Sequence, residues 1–372
     1  MTIVVAGALA NKVGSGGEAW VRLSWIRGFQ QLGHEVWFVE ELSVAEPRAV
    51  AYFTQVVRDF DLADRAALLV DGRSVVGAER RQIERVADRA CLVNISGHLR
   101  DAALLAGFDR RIFVDIDPGY TQFWHADGLA TGLDDHDHHV TIGANIGRPG
   151  CPIPTLGLDW HHVHQPVVLA DWPVTRAPAP DRFTTVGNLR GPYGRVEIGG
   201  RRFGLKIHEQ RKVLDLPRRV PAADFELAMA IDDADRADAE QLLDAGWRLV
   251  DPARCHDPAG FGAYVRASGA EFSVAQGIYV ETSSGWFSDR SVRYLASGRP
   301  VVVQDTGFGD HLPVGEGVLC FADVEQAAAA VERVLAEPER HARAARRVAE
   351  EHFDARRVLA ALCDRFGIDA RG

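Results

Sequence analysis

Residues Ala270–Leu312 read AEFSVAQGIYVETSSGWFSDRSVRYLASGRPVVVQDTGFGDHL. Phe272–Val280 is apolar and β-prone, which predicts a strand. Thr282–Ser288 is a loop rich in Ser and Gly. Ser288 or Asp289 is placed to cap a helix over Arg290–Ser297, and Gly298 stops it. Arg299-Pro300 leads into a second apolar strand, Val301–Val303, and then into a second loop, Asp305–Asp310. The order strand, loop, helix, strand, loop brings one helix N-terminus and two loop mouths to the same edge of a parallel sheet. Unpaired backbone N–H groups and the positive end of a helix dipole there suit a phosphate.

The chain around this stretch has 372 residues, enough for two domains. Its hydrophobic content of 47% and charged content of 25% are those of a globular protein. A net charge of -10 opposes a sequence-independent grip on nucleic acid. No run reaches the roughly 18 apolar residues of a membrane span. The opening MTIVVAGALANKV lacks a basic leader and reads as a first buried strand. Five cysteines, Cys91, Cys151, Cys255, Cys320 and Cys363, are scattered without a CxxC pair. That pattern predicts a reducing, cytoplasmic setting and no disulfide framework.

In the first half, Ile3–Ala8 reads as a central parallel strand. Gly14, Gly16 and Gly17 form a loop before an amphipathic helix over Glu18–Leu32, and Val36–Val39 is the next strand. The loop lets a ligand approach the backbone. Yet GSGG is not GxGxxG, and Glu40 with Glu41 makes an imperfect ribose clamp, so a plain tight turn competes with a dinucleotide site. Helices over Arg48–Asp59 and Glu79–Asp88 alternate with strands at Ala67–Val70, Ala90–Ile95, Arg111–Ile116 and Val140–Ala144. Such repetition builds a doubly wound sheet with ligands beyond the carboxyl ends of its strands. His98, Asp115 and Asp117 fall at such ends. His98 and Asp117 are candidate bases toward an acceptor hydroxyl, although Asp117-Pro118-Gly119 is also ordinary turn chemistry. Asp134–His139, DDHDHH, has no defined ligand spacing and reads as a solvated loop rather than a metal site. His161, His162 and His164 precede Pro166 near the domain junction.

Asp171–Arg182 holds three prolines and no periodicity, and reads as the linker. The βα rhythm then restarts with Phe183–Val186, Phe225–Ile231 and Trp247–Val250 as strands. Ile207–Leu214, Asp235–Ala245 and Phe261–Ala267 read as helices. The tail is helical over Val324–Leu335, Pro338–Glu351 and Ala355–Phe366. The expected domains are 1–170 and 183–350, with 351–372 free to cross back onto the first.

Two tandem Rossmann-like α/β domains, a Pro-rich hinge and a helical tail resemble glycosyltransferases of the GT-B fold, with a GT4-like second half. The motifs that carry the resemblance are few. Gly14–Val39 is similar to the Gly loop, helix and GHEV-type strand of that fold. Ala296–Val302 looks like its A-x-G-x-P-V-V turn, and Thr306-Gly307 falls where the family has a Gly-containing loop. Gly187-Asn188-Leu189-Arg190 and Lys206 look like its donor-diphosphate residues.

The resemblance implies a metal-independent transfer from a nucleotide sugar, UDP-linked or similar, to a small-molecule acceptor. The first domain would bind the acceptor, with Gly14, Gly16 and Gly17 in its loop. No cofactor, nucleic acid or membrane span is implied, and a homodimer is left open. The leaving diphosphate would meet Ser283, Ser284, Ser288, Arg190, Lys206, Arg290, Thr306 and Gly307, while backbone near Val250 would read the base. Many retaining members have a Glu, seven intervening residues and then a second Glu. Here Glu281 and Asp289 have that spacing, but Arg293 stands in the second Glu's register relative to Gly298. The ribose carboxylate is therefore Asp289, Glu281 or absent, and the stereochemistry stays open. Rival readings are a nucleotide-sugar epimerase, a non-catalytic transferase partner and a dinucleotide-dependent oxidoreductase.

Overall fold

The computed structural model describes residues 1–190, 197–198 and 201–369. The chain builds two sheets. The first runs β1 (Thr2–Ala6), β2 (Glu35–Leu42), β3 (Ala66–Val70), β4 (Arg73–Gly77), β5 (Ala90–Ile95), β6 (Arg110–Asp115), β7 (His138–Thr141) and β8 (Trp160–His162). Their order is β4-β3-β2-β1-β5-β6-β7-β8, parallel throughout except for the β3–β4 hairpin. β1 is fully buried from Ile3 to Ala6, which explains its unbroken apolar run. Neither β4 nor β8 stands out in the sequence: the one alternates with three of its five residues exposed, and the other is three residues of Trp and His.

β9 (Arg182–Asn188) opens the second sheet, after which β10 (Glu197–Ile198) and β11 (Arg201–Arg202) pair as a small hairpin. The second sheet continues with β12 (Asp224–Ala230), β13 (Arg248–Leu249), β14 (Ala270–Ser273), β15 (Val301–Gln304) and β16 (Val318–Phe321). Its order, β13-β12-β9-β14-β15-β16, is all parallel and reverses direction between β9 and β14. A crevice opens where strand order reverses, here β1/β5 in one sheet and β9/β14 in the other.

One expectation needs correcting. The strand read over Phe272–Val280 ends at Ser273, and Gly277–Glu281 forms a helix. The Ala275 N–H donates to the Gln304 side chain instead of a neighbouring strand. Ile278 and Tyr279 then bury their apolar surface against Tyr120 and Ile153 of the first domain. That run is apolar because it faces a domain interface, not because it spans a sheet.

The proline-rich segment after Asp171 crosses between the sheets but is tied down. Arg27 grips Asp171 with two bonds of 2.7 Å, and Trp172 is wholly buried against Trp20 and Phe261. The helix Pro338–Val348 runs into one turn of π-helix, Ala349–Phe353. The chain then bends at Asp354, and Val167 and Ala355 exchange backbone bonds with the opposite segment. The helix Ala355–Phe366 lies across the helix Gly16–Gln31, so close at Gly28 that a side chain there would start 2.5 Å from Leu359 Cδ1. One apolar core, from Ile3 through Trp172 to Leu359, thus joins both sheets and the tail.

Candidate active site

Three residues meet at the β9/β14 switch point. Gly187 is half-buried near the end of β9, past the buried Phe183–Thr185. Lys206 begins a short helix, Lys206–Lys212, set by contacts with the segment after β14. The Lys206 N–H donates to Gln276 Oε1 at 2.8 Å, and the Gly277 N–H donates to the Gly204 carbonyl. Arg290 is in the first turn of the helix Asp289–Ala296, which Ser288 caps through the Arg290 N–H. A side chain at Gly187 would begin 3.5 Å from Lys206 Nζ and 3.9 Å from an Arg290 Nη. Glycine there leaves both cations bare along that face.

The two cations are supported differently. Arg290 donates to Glu271 Oε1 at 2.6 Å and to the Val186 carbonyl at 3.1 Å. Burial works against its charge, and Glu271 more than restores it. The second Arg290 Nη and Glu271 Oε2 are buried without hydrogen-bond partners among the described residues. Lys206 is 9% exposed, and its ammonium has no hydrogen-bond or ion-pair partner among the described residues. Burial, and then the neighbouring Arg290, pulls its pKa down to about 7.

The first domain faces this corner with the start of its first helix. Glu18 is ion-paired with Arg22, and the Arg22 stem lies against Gly7 at the end of β1. Burial raises the Glu18 carboxyl, but Arg22 and then Lys12 outweigh it and hold the group below its usual range. Asp289 looks across at Glu18. Burial pushes its carboxyl up, and its 2.8 Å contact with Arg293 offsets this only in part. Arg293, fully buried, also reaches Ser24 Oγ of the first domain at 3.3 Å. His98 lies near Arg22 and Lys12 with no hydrogen-bond partner among the described residues. Burial, then Arg22, drops its pKa to about 3, so it is neutral at physiological pH.

The other expected residues go elsewhere. Arg190 is taken by Asp235 through two bonds of 2.8 and 2.6 Å. The exposed Glu281 accepts the Gly204 N–H at 3.2 Å. Ser283, Ser284, Thr306 and Gly307 form an interdomain clasp centred on Asn145. Asn145 Nδ2 donates to the Ser283 and Gly307 carbonyls, its N–H donates to the Ser284 carbonyl, and its Oδ1 contacts His311 Nε2 at 2.8 Å. Thr306 bonds the Trp286 carbonyl. Val250 continues the β12–β13 pairing through its N–H to the Leu227 carbonyl. Gly14 is open, whereas a Cβ on Gly16 would lie 2.1 Å from the Asp257 carbonyl and one on Gly17 3.1 Å from the Phe261 ring. Asp117 accepts the Tyr279 hydroxyl across the interface at 3.0 Å. Glu40 holds the Ala10 and Asn11 amides, and Glu41 those of Arg100 and Asp101.

Glu18, Arg22, Glu271 and Asn145 escaped sequence reasoning. Glu271 alone carries a readable signal, a carboxylate inside an otherwise apolar strand. His136 and His139 of the DDHDHH run are buried and bond carbonyl groups. Among the described residues, no group of three or more His, Cys, Asp or Glu is placed to hold a metal ion. No helix among them is long and apolar enough to cross a membrane.

Residues 257–364 match the model of a glycosyl transferase-like family. No curated protein matches the sequence. The fold resembles HepE of Anabaena in complex with UDP and glucose, with a TM-score of 0.63, 10% identity and 99% of each chain covered. It also resembles an alpha-glucosyltransferase in complex with UDP-glucose and DNA, with a TM-score of 0.63, 12% identity and 98% of each chain covered. Sucrose-phosphate synthase from Thermosynechococcus elongatus gives a TM-score of 0.58 at 11% identity, covering 99% of this chain and 98% of the other. The chain therefore has the GT-B glycosyltransferase fold, with a second domain that matches a glycosyl transferase-like family.

Proposed function

We propose that the chain transfers a sugar from a nucleoside diphosphate donor, with the diphosphate seated at Gly187, Lys206 and Arg290. The observation that carries this reading is the pair of cations at the β9/β14 switch point, one of them buried without a hydrogen-bond or ion-pair partner among the described residues. A buried ammonium with no counter-charge is costly unless a ligand supplies one. Structural neighbours crystallised with UDP or UDP-glucose support the same ligand class.

Bond cleavage to the sugar leaves extra negative charge on the diphosphate. Lys206, Arg290 and the first amides of the helix Asp289–Ala296 meet that charge in place, which is where such fixed groups lower a barrier. His98, held neutral and weakly basic, suits a hydrogen bond to a sugar hydroxyl better than proton abstraction. Asp117, positioned by Tyr279, is the candidate base on the acceptor side. A small-molecule acceptor agrees with the net charge of -10, which disfavours a general hold on nucleic acid.

Thermal melts with millimolar UDP, GDP, TDP and ADP test the donor site. At least one should raise the melting temperature, and no shift with any of them would sink the reading. Arg290→Ala should weaken that ligand by more than about 1 kcal/mol. Lys206→Ala should act in the same direction at less cost to folding, because among the described residues the lysine leaves no hydrogen-bond or ion-pair partner behind.

A further inference from the structure

Lys206 is the least compensated buried charge at the site. Arg290 and Asp289 face it from the helix Asp289–Ala296, and Glu271 faces it from β14. Each of the acids nearby is committed elsewhere. Glu271 gives Oε1 to Arg290, and Asp289 binds Arg293. Glu281, from the helix packed on that of Lys206, takes a backbone amide, and Glu209 on its own helix binds Lys212. From the loop after β9, Arg190 is held by Asp235. The strongest nearby influence is thus another cation, and the ammonium meets it in a space from which water is largely excluded.

We propose that Lys206 draws a proton from solvent when a diphosphate settles beside it, so that donor binding takes up one proton and departure of the diphosphate returns it. The inference rests on the donor-site reading above and adds a proton to its stoichiometry. In the empty site burial and Arg290 both favour the neutral amine, whose pKa is pulled down to about 7. A diphosphate brings two negative charges into direct contact and reverses the balance. The charged ammonium then becomes the favoured form, and it donates to the phosphate oxygens. Above neutral pH, ligand release and loss of the Lys206 proton favour each other.

Titration calorimetry of the whole protein tests this, using the UDP-, GDP-, TDP- or ADP-glucose that gives the largest melting shift. Their diphosphate is a diester, with no titration of its own near neutral pH. Binding enthalpies in Hepes and in Tris should differ by the proton taken up times the difference in buffer ionisation heat. The uptake should approach a full proton well above neutral pH, fall as pH drops through neutrality and be close to none at pH 5.5. Affinity should fall toward about tenfold per pH unit above pH 7.5. Lys206→Arg keeps a charge at all these pH values, so its binding should lose both the uptake and the pH slope. A wild-type ligand that binds at pH 8 with equal enthalpy in both buffers overturns the proton uptake and leaves the donor site standing. Failure of all four ligands to bind between pH 6 and 8 removes the donor site, and the uptake with it.

Discussion

Glu271 shows how one side chain sets a site it need not touch. Both of its faces in β14 are covered, yet it carries a carboxylate, and that carboxylate keeps Arg290 charged and aimed past Val186. Glu271→Gln removes the charge and keeps the shape. It should cost about 3 kcal/mol in chemical denaturation, the usual price of breaking a buried ion pair, and donor affinity should fall with it. Unchanged stability would mean the pair is not coupled to the fold. The sequence announces Lys206 and Arg290 as cations near a phosphate-friendly loop. It does not announce which cations stay free, because that depends on Asp235 capturing Arg190 from 45 residues away. The same holds for Asn145, whose single side chain occupies loops that read as phosphate cradles.

At the level of elements, the helix Gly16–Gln31 does the joining. One end of it meets Asp257 and Phe261, its middle meets Arg293, and its far end meets Leu359. Gly16→Ala puts a methyl against a backbone carbonyl that has no room to yield. It should destabilise the protein by about 1–3 kcal/mol, read by melting. A variant that melts like the parent would show that the two domains part there freely. Strands with long apolar runs, such as β1, β5 and β15, are legible because a parallel sheet covered on both faces permits little else. The boundary at Ser273 is not legible. Gly277–Glu281 has the composition of a strand, and only the first domain packing on Ile278 and Tyr279 makes it a helix. β16 is four residues between turns and has no periodicity of its own to read.

Over the whole molecule, the shared core argues against two independent domains. Trp172 sits between helices of both and is 0% exposed, so Trp172→Ala should cost about 3–5 kcal/mol. Wild type should unfold in one calorimetric transition; two separated transitions would contradict a continuous core. Acidity should strain the same junction. His162 and His164 end and follow β8, with rings 4.8 Å apart, and His311 and His352 stand beside them from the second domain and the tail. Burial first, then the neighbouring imidazoles, pushes His162 down to about 3 and His164 to about 4. These folded pKa values lie below the unfolded one, so the unfolded chain binds more protons and stability falls as pH drops through that window. The melting temperature should decline between pH 6.5 and 4 and recover on neutralisation. A flat profile there would mean the histidines are solvated.

The helix Ala355–Phe366 has a consequence for how the protein comes into being. It covers the face of the helix Gly16–Gln31 around Gly28, but a ribosome makes the covered face more than three hundred residues before the cover. Throughout synthesis of the second domain the first must therefore wait with that apolar face open, although domains usually fold in order as they emerge. Growing chains stalled before residue 355 should carry a sticky surface that the finished protein never shows. Chaperone capture should be confined to nascent chains and end abruptly when the last helix docks.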